Sequence, residues 1–344
     1  MDIQENVPLG PLTTFKIGGP ARYLISAQSL EDIQLGLKFA KEKAQQVFIL
    51  GGGSNLLVSD EGFYGVVLKI ELKGVEIQQD EANAAGVTCI AFAGEGWDAL
   101  VEQTCNENWW GIENLSGIPG TVGGAVVQNI GAYGTALSEV LLWAEALNTE
   151  TGEVRRFTNT ECAFGYRDSF FKHHDNYIVL RAALKLSTVP QPNISYKDLA
   201  KLFGNPACMV VDIQALRTAV LAIRKGKFPD LALEGTAGSF FKNPIVTEEE
   251  ARLLEEQYPG LPVFVMPETR GVKVPLAWFL DPSHGVIDAA AISAGGARLY
   301  EKQPLVIVAQ KNTRSRDVAK VASEVQKQIK EKLNIEIEPE VKII

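Results

Sequence analysis

The segment Gly117–Gly134 holds six glycines in 18 residues and contains no Lys, Arg, Asp or Glu. Glycine lets the main chain take positive φ and brings bare N–H groups close to an anion, whereas a merely structural turn needs one or two such residues. The segment therefore reads as a backbone cradle for a phosphate. A second cluster lies upstream, where Val47-Phe48-Ile49-Leu50 runs into Gly51-Gly52-Gly53-Ser54-Asn55-Leu56-Leu57-Val58, the pattern of strand, tight loop and strand. Leu56 stands where a GxGxxG fingerprint needs its third glycine, and neither loop carries the Gly-Lys-Ser/Thr of a P-loop. A dinucleotide-binding Rossmann site and an ATPase are both disfavoured. Either loop alone could be a pair of turns between strands, but two in one chain favour a ligand.

At 344 residues the chain exceeds the ~250–300 at which single cores stop growing, so two or three domains are expected. Hydrophobic residues make up 46% and charged residues 22%, the balance of a globular protein, and no apolar run approaches the ~18–20 residues of a membrane span. Met1-Asp2-Ile3-Gln4-Glu5 has no basic stretch followed by an apolar one, which makes the cytoplasm the expected location. A net charge of −9 argues against nucleic-acid binding, which relies on basic surface to release counterions. Cys89, Cys105, Cys162 and Cys208, with His173, His174 and His284, have no metal-ligand spacing. The cysteines read as small buried hydrophobes with free thiols.

Ser29 to Lys43 is patterned as an amphipathic helix, with Ser29 as N-cap, Asp32 in the capping-box position, and Ile33, Leu35, Leu37 and Ala40 as the apolar positions. Residues 65–186 are rich in short β-type runs, with a helical signal at Asp98 to Glu107. Residues 188–193 form a proline-bearing linker, and Ile213 to Lys225 a helix with a basic end. Helices at Glu248 to Gln257 and Asp317 to Leu333 alternate with strands at Val263 to Val265 and Leu305 to Ala309. The tail from Ile335 to Ile344 reads as a strand that pairs back into a sheet. The fold class is α+β.

Six ordered blocks resemble the UDP-N-acetylenolpyruvoylglucosamine reductase (UDP-N-acetylmuramate dehydrogenase) family, type I branch. They are Thr13-Thr14-Phe15, Gly51 to Leu57, Gly117 to Gly134, Gly165-Tyr166-Arg167-Asp168-Ser169, Gly238 to Pro244 and Glu338-Pro339-Glu340-Val341, and they span nearly the whole chain. The resemblance implies a FAD-binding domain of the PCMH or vanillyl-alcohol-oxidase type, built from two α+β subdomains (residues 1–70 and 71–225, with the type I tyrosine loop near 190–200). It also implies an α+β substrate-binding domain (226–333) and a C-terminal strand (334–344) returning to the active site. The FAD contacts it implies are Gly51, Gly52, Gly53, Ser54 and Asn55 in the first loop and Gly117, Ile118, Pro119, Gly120, Thr121, Gly123, Gly124 and Ala125 in the second. Neither loop contains a histidine, so the flavin is expected to be held non-covalently.

The implied reaction reduces an enolpyruvyl ether of a UDP-sugar to a lactyl ether in peptidoglycan precursor synthesis, with NADPH as hydride donor and FAD as carrier. Charge develops beside the substrate carboxylate, so the site needs positive charge or hydrogen-bond donors and one proton delivered to carbon. By resemblance Ser239 is the proton donor, Arg167 polarises the carboxylate and Glu340 orients or protonates the intermediate. Without the blocks, Ser239 reads as a turn residue, Arg167 as one half of a surface ion pair with Asp168, and Glu340 as a solvated residue near a chain end.

Substrate contacts carried over in the same way are Tyr133, Tyr196, Lys227, Asn243 and Lys273. Arg224, Lys225 and Lys227 would also be favoured simply by the helix dipole. The stretches Asp281 to Val286 and Ser293 to Arg298 depart from the family pattern, which leaves the uridine pocket open. No nucleic-acid or membrane partner is expected, and the default oligomeric state is a monomer. Another FAD oxidoreductase of the same superfamily would share the glycine loops but not the Ser239 and Glu340 blocks, and a non-catalytic flavin-binding protein on this scaffold would be yellow but inactive.

Overall fold

The computed structural model describes residues 2–79, 83–204, 211–266 and 271–344; Cys208 lies outside them. The chain divides into two units. The first comprises Met1–Val7, Ala21–Gly53 and Tyr64–Gly226, and the second Pro8–Pro20, Ser54–Phe63 and Lys227–Ile344. Each has its own apolar core, the first around residues such as Ile33, Leu68, Trp97, Val126 and Phe157, the second around Phe240, Phe241, Phe279, Ile307 and Val325.

In the first unit, helix α1 (Leu30–Glu42) starts where Ser29 Oγ accepts from the Asp32 N–H at 3.1 Å. The Asp32 carboxylate closes the cap by accepting from the Gln28 N–H and the Ser29 hydroxyl. Burial falls on Ile33, Gly36 and Ala40, a stripe of period 3.6. Leu35, expected on that stripe, stands off it and is 40% exposed. The strand Val47–Leu50 that follows runs parallel to Phe63–Ile70, and α1 links it back to Pro20–Ala27 in the same four-stranded sheet. A second sheet is antiparallel, with Tyr177–Ser187 between Leu141–Asn148 and Gly86–Phe92, and Val154–Thr158 and Val75–Gln79 at its edges. The expected linker at 188–193 begins tied to this sheet, since the Thr188 N–H donates to Ala85 O.

Among the described residues, further helices of this unit are α2 (Trp97–Asn106), α3 (Val122–Gln128), α4 (Phe170–His173), α5 (Lys197–Phe203) and α6 (Ile213–Lys227), whose last residue already counts with the second. α6 runs two residues beyond the expected Lys225, so Lys227 is its last residue. α2 and α6 are joined by a bidentate pair, Arg217 Nη1 and Nη2 to the Asp98 carboxylate at 2.7 and 3.2 Å. Arg217 is 8% exposed and Asp98 41%. Burial alone would raise the Asp98 pKa, but the Arg217 guanidinium and the Gly117 N–H hold the carboxyl below its usual range. Cys89, Cys105 and Cys162 are buried free thiols, as expected; burial pushes their pKa values up to about 12, 12 and 11, which keeps them unreactive.

In the second unit, Ser293–Ala294, Ala297–Tyr300 and Gln303–Ala309 form one sheet, and the first two are joined by a two-residue Gly295-Gly296 hairpin. Helices α7 (Glu248–Gln257), α8 (Leu276–Leu280) and α9 (Ser315–Leu333) belong here. α9 buries Val318, Val321, Ala322, Val325, Ile329 and Leu333 on one face. Its first turn is capped from far away, because the Asp60 carboxylate accepts from the N–H groups of Ser315 and Arg316. The tail is less regular than a full strand. Only Lys342–Ile343 pairs as one, parallel to Leu56–Leu57, while Pro339 forms a single bridge with Phe241.

Asp98→Asn leaves Arg217 buried without a counter-charge. It should destabilise the protein by about 1–2 kcal/mol at pH 7, discounted from the ~3–5 kcal/mol of a fully buried pair because Asp98 is partly exposed. The folded-state pKa of Asp98 is depressed, so its contribution is complete above the unfolded value and lost as pH falls. The wild-type advantage in urea unfolding should thus be constant from about pH 5 to 8 and shrink below about pH 4.

Candidate functional site

The two glycine loops meet. A Cβ on Gly52 would lie 2.6 Å from Gly120 Cα, so only glycine permits this approach. Gly117, at φ = 72°, is held at both ends of the residue: its N–H donates to Asp98 Oδ1 at 2.6 Å and its C=O accepts from Arg224 Nε at 3.1 Å. Arg224 also hydrogen-bonds the Tyr133 hydroxyl, and burial lowers its pKa. The basic end of α6 thus has a task beyond complementing the helix dipole. Thr121 is the N-cap of α3 but makes no side-chain cap, and its Oγ1 atom is buried without a hydrogen-bond partner among the described residues. A buried hydroxyl left open beside two loops in backbone contact fits a ligand rich in acceptors. Thr121 and the Gly51–Gly53 and Gly117–Gly120 backbones are therefore the groups that could hold an acceptor-rich ligand here. The chain leaves the first unit after Gly53, so Ser54 and Asn55 belong to the second.

The far end of α3 meets the Arg167 turn. Gly165 and Asp168 close that turn with reciprocal backbone bonds of 3.0 and 3.1 Å, and Arg167 occupies its third position at φ = 55°. A left-handed conformation costs a non-glycine residue about 1 kcal/mol, and glycine or asparagine usually takes it. Arg167 Nη2 donates to Gly131 O at 2.6 Å, and Asn129 Nδ2 to Gly165 O at 2.8 Å. The Asp168 carboxylate lies 2.8 Å from His173 Nε2.

Tyr133 and Tyr196, 63 residues apart in sequence, meet edge to face at 5.2 Å. Asn114 ties their segments together, since Nδ2 donates to both Tyr133 O and Asn193 O at 2.8 Å. Asn193 Nδ2 in turn donates to Gly134 O at 2.8 Å. The tyrosine loop is thus docked through side-chain amides onto the end of the glycine segment.

In the second unit, Gly235 to Phe241 lies antiparallel to Gln303–Ala309, with bridges at Gly235–Ala309 and Ser239–Val306. The other edge of this segment binds the tail, because the Glu340 N–H donates to Phe240 O at 2.8 Å and the Lys242 N–H to Glu338 O at 3.1 Å. Ser239 and Glu340 are therefore brought together by one short backbone ladder, and both are half-buried. Asn55 brackets the tail from the opposite side: Nδ2 donates to Glu340 O at 3.1 Å, and its C=O accepts from the Lys342 N–H at 3.2 Å. Glu338 is exposed and pairs with Lys242 at 3.5 Å. Asn243 Oδ1 accepts from the Leu276 N–H at 3.0 Å at the start of α8, and Lys273 lies in the short strand Gly271–Lys273, its Nζ 5.4 Å from the Phe264 ring centroid. Asp98, Arg217, Asn114 and Lys172 carry these arrangements and were missed. Of the four, only Lys172, within reach of the Arg167 block in sequence, had a local signal.

Residues 21–158 match the model for a FAD binding domain, and residues 230–344 match that for the UDP-N-acetylenolpyruvoylglucosamine reductase C-terminal domain. The chain is 38% identical over 346 residues to UDP-N-acetylenolpyruvoylglucosamine reductase of Amoebophilus asiaticus, covering 100% of both chains. It is 37% identical over 342 residues to the enzyme of that name from Escherichia coli strain K12, covering 98% of this chain and 96% of the relative. Among solved structures, the UDP-N-acetylenolpyruvylglucosamine reductase of Thermus caldophilus shares the fold with a TM-score of 0.68 at 24% identity, covering 100% of this chain and 99% of the other. With two glycine loops in contact and relatives matched from end to end, the chain belongs to the UDP-N-acetylenolpyruvoylglucosamine reductase family.

Proposed function

We propose that the chain reduces UDP-N-acetylglucosamine enolpyruvate to UDP-N-acetylmuramate, with NADPH as the electron source, in peptidoglycan precursor synthesis. The observation that carries this reading is end-to-end similarity to reductases of that name, in a chain whose two glycine loops meet around an open buried hydroxyl. Gly51–Gly53, with Ser54 and Asn55 next in the chain, and Gly117–Ala125 would hold FAD. When bound, FAD supplies the two-electron chemistry that links NADPH to the enolpyruvyl group.

The chain's own residues handle charge and proton. Addition of hydride at the terminal enolpyruvyl carbon places negative charge on the adjacent carbon and its carboxylate. Arg167 is proposed to meet that carboxylate, for which its planar fork is suited. Ser239 would deliver its hydroxyl proton to the adjacent carbon. A hydroxyl is a weak acid, so the resulting alkoxide needs nearby donors or positive charge. Glu340, fixed beside the Ser239 segment by the Phe240 ladder and the Asn55 bracket, would orient or protonate the intermediate. Tyr133, Tyr196, Lys227, Asn243 and Lys273 are proposed substrate contacts. The two tyrosines form one docked aromatic pair, as expected of residues that cover a common ligand.

Ser239→Ala should leave flavin reduction by NADPH nearly intact and slow flavin reoxidation by the enolpyruvyl sugar nucleotide by about 10²–10⁴-fold in stopped-flow absorbance. Equal damage to both half-reactions would remove Ser239 as proton donor. Arg167→Ala should slow the same reoxidation by at least about 10²-fold, with the smaller effect again on reduction. Absence of turnover with the enolpyruvyl sugar nucleotide, together with rapid oxygen consumption on an alcohol, would overturn the assignment as a whole.

A further inference from the structure

We propose that Lys172 is a positioning residue for the reaction, acting through Arg167; this rests on the reading that Arg167 meets the substrate carboxylate. Lys172 Nζ donates to Arg167 O at 2.9 Å and to Gln128 Oε1 at 3.0 Å. The first bond fixes the peptide that follows Arg167, at a residue whose φ of 55° the side chain itself disfavours. The second ties that peptide to the last residue of α3, the helix whose first turn adjoins the Gly117–Thr121 loop.

Three more bonds run between the same two segments: Ser169 Oγ to Val127 O at 2.7 Å, Asn129 Nδ2 to Gly165 O at 2.8 Å, and Arg167 Nη2 to Gly131 O at 2.6 Å. Those bonds dock the turn and one arm of the guanidinium. The ammonium of Lys172 bonds the Arg167 carbonyl itself. It is carried on α4, whose Phe171 is buried and packs edge-on against Phe157, so its origin is rigid. Half-burial strengthens an ion–dipole bond of this kind relative to water. The tie therefore sets where the fork of Arg167 points relative to the flavin cradle at the other end of α3.

The test is a double-mutant cycle on the flavin-loaded enzyme, with both half-reactions followed by stopped flow. In Lys172→Met, reduction by NADPH should stay within about twofold of wild type while reoxidation by the enolpyruvyl substrate slows by about 10–10²-fold, the usual penalty for a misplaced catalytic group. Lys172→Arg, which keeps a cationic donor, should recover most of that rate. In an Arg167→Ala background, Lys172→Met should add nothing further. If Arg167→Ala itself leaves reoxidation unchanged, the underlying reading of Arg167 fails. If Arg167→Ala slows reoxidation but Lys172→Met does not, or if the two effects multiply, or if both half-reactions suffer equally, the role assigned to Lys172 is overturned. Should Lys172→Met fail to retain flavin, Gln128→Leu removes a second anchor of the ammonium and is judged by the same outcomes.

Discussion

The ligand face of the first unit depends on a single glycine residue. Gly117 gives its N–H to Asp98 and its C=O to Arg224, and Asp98 is itself gripped by Arg217. Two cations from α6 and one carboxylate from α2 therefore clamp a loop that carries no charge of its own. Bonds to charged groups are roughly twice as strong as neutral ones, so the loop can hold a left-handed residue and stay rigid. A loop held this way needs no ordering before it can meet a ligand. α3 begins a few residues later, so the same clamp also fixes the strut that ends at the Arg167 turn.

How much of this was legible in the sequence depended on distance along the chain. The α1 cap was legible because Ser29 and Asp32 are three residues apart, and the glycine loops because each is continuous. Ser239 and Glu340 were recognised through short blocks. Their proximity follows from a ladder across about one hundred residues that no local pattern encodes. The Asp98–Arg217 pair spans 119 residues, and each partner alone looks like an ordinary charge on an amphipathic helix. Leu35 was misassigned because apolar character was taken for burial, although single leucines on a surface are common. The turn that sends Arg167 to Gly131 O is closed by backbone bonds between Gly165 and Asp168, which the Gly165-Tyr166-Arg167-Asp168 run does not announce by residue type.

Several polar side chains satisfy backbone groups at helix starts and turns. Asp60 satisfies the first turn of α9, Asn243 the first turn of α8, and Asn114 two carbonyls at once. Each repairs an end or a turn that hydrophobic burial cannot. The Thr121 hydroxyl is different: it stands at a helix start, caps nothing, and is buried.

The second unit is assembled from three pieces of chain, and its last contacts are made by its last residues: Ile344 N–H to Leu57 O, and Ser59 N–H to Ile344 O. On the ribosome, Pro8–Pro20 and Ser54–Phe63 emerge early and must wait through more than half of synthesis for the strands and helices they pack with. During that interval Phe15, Ile17 and Leu57, all core residues in the finished protein, have no core to enter. The glycine-bearing first unit is nearly complete by residue 226 and can fold while the other remains open. The order of manufacture thus runs from the glycine loops to the tail, and the segment that carries Glu340 is the latch that completes the second unit.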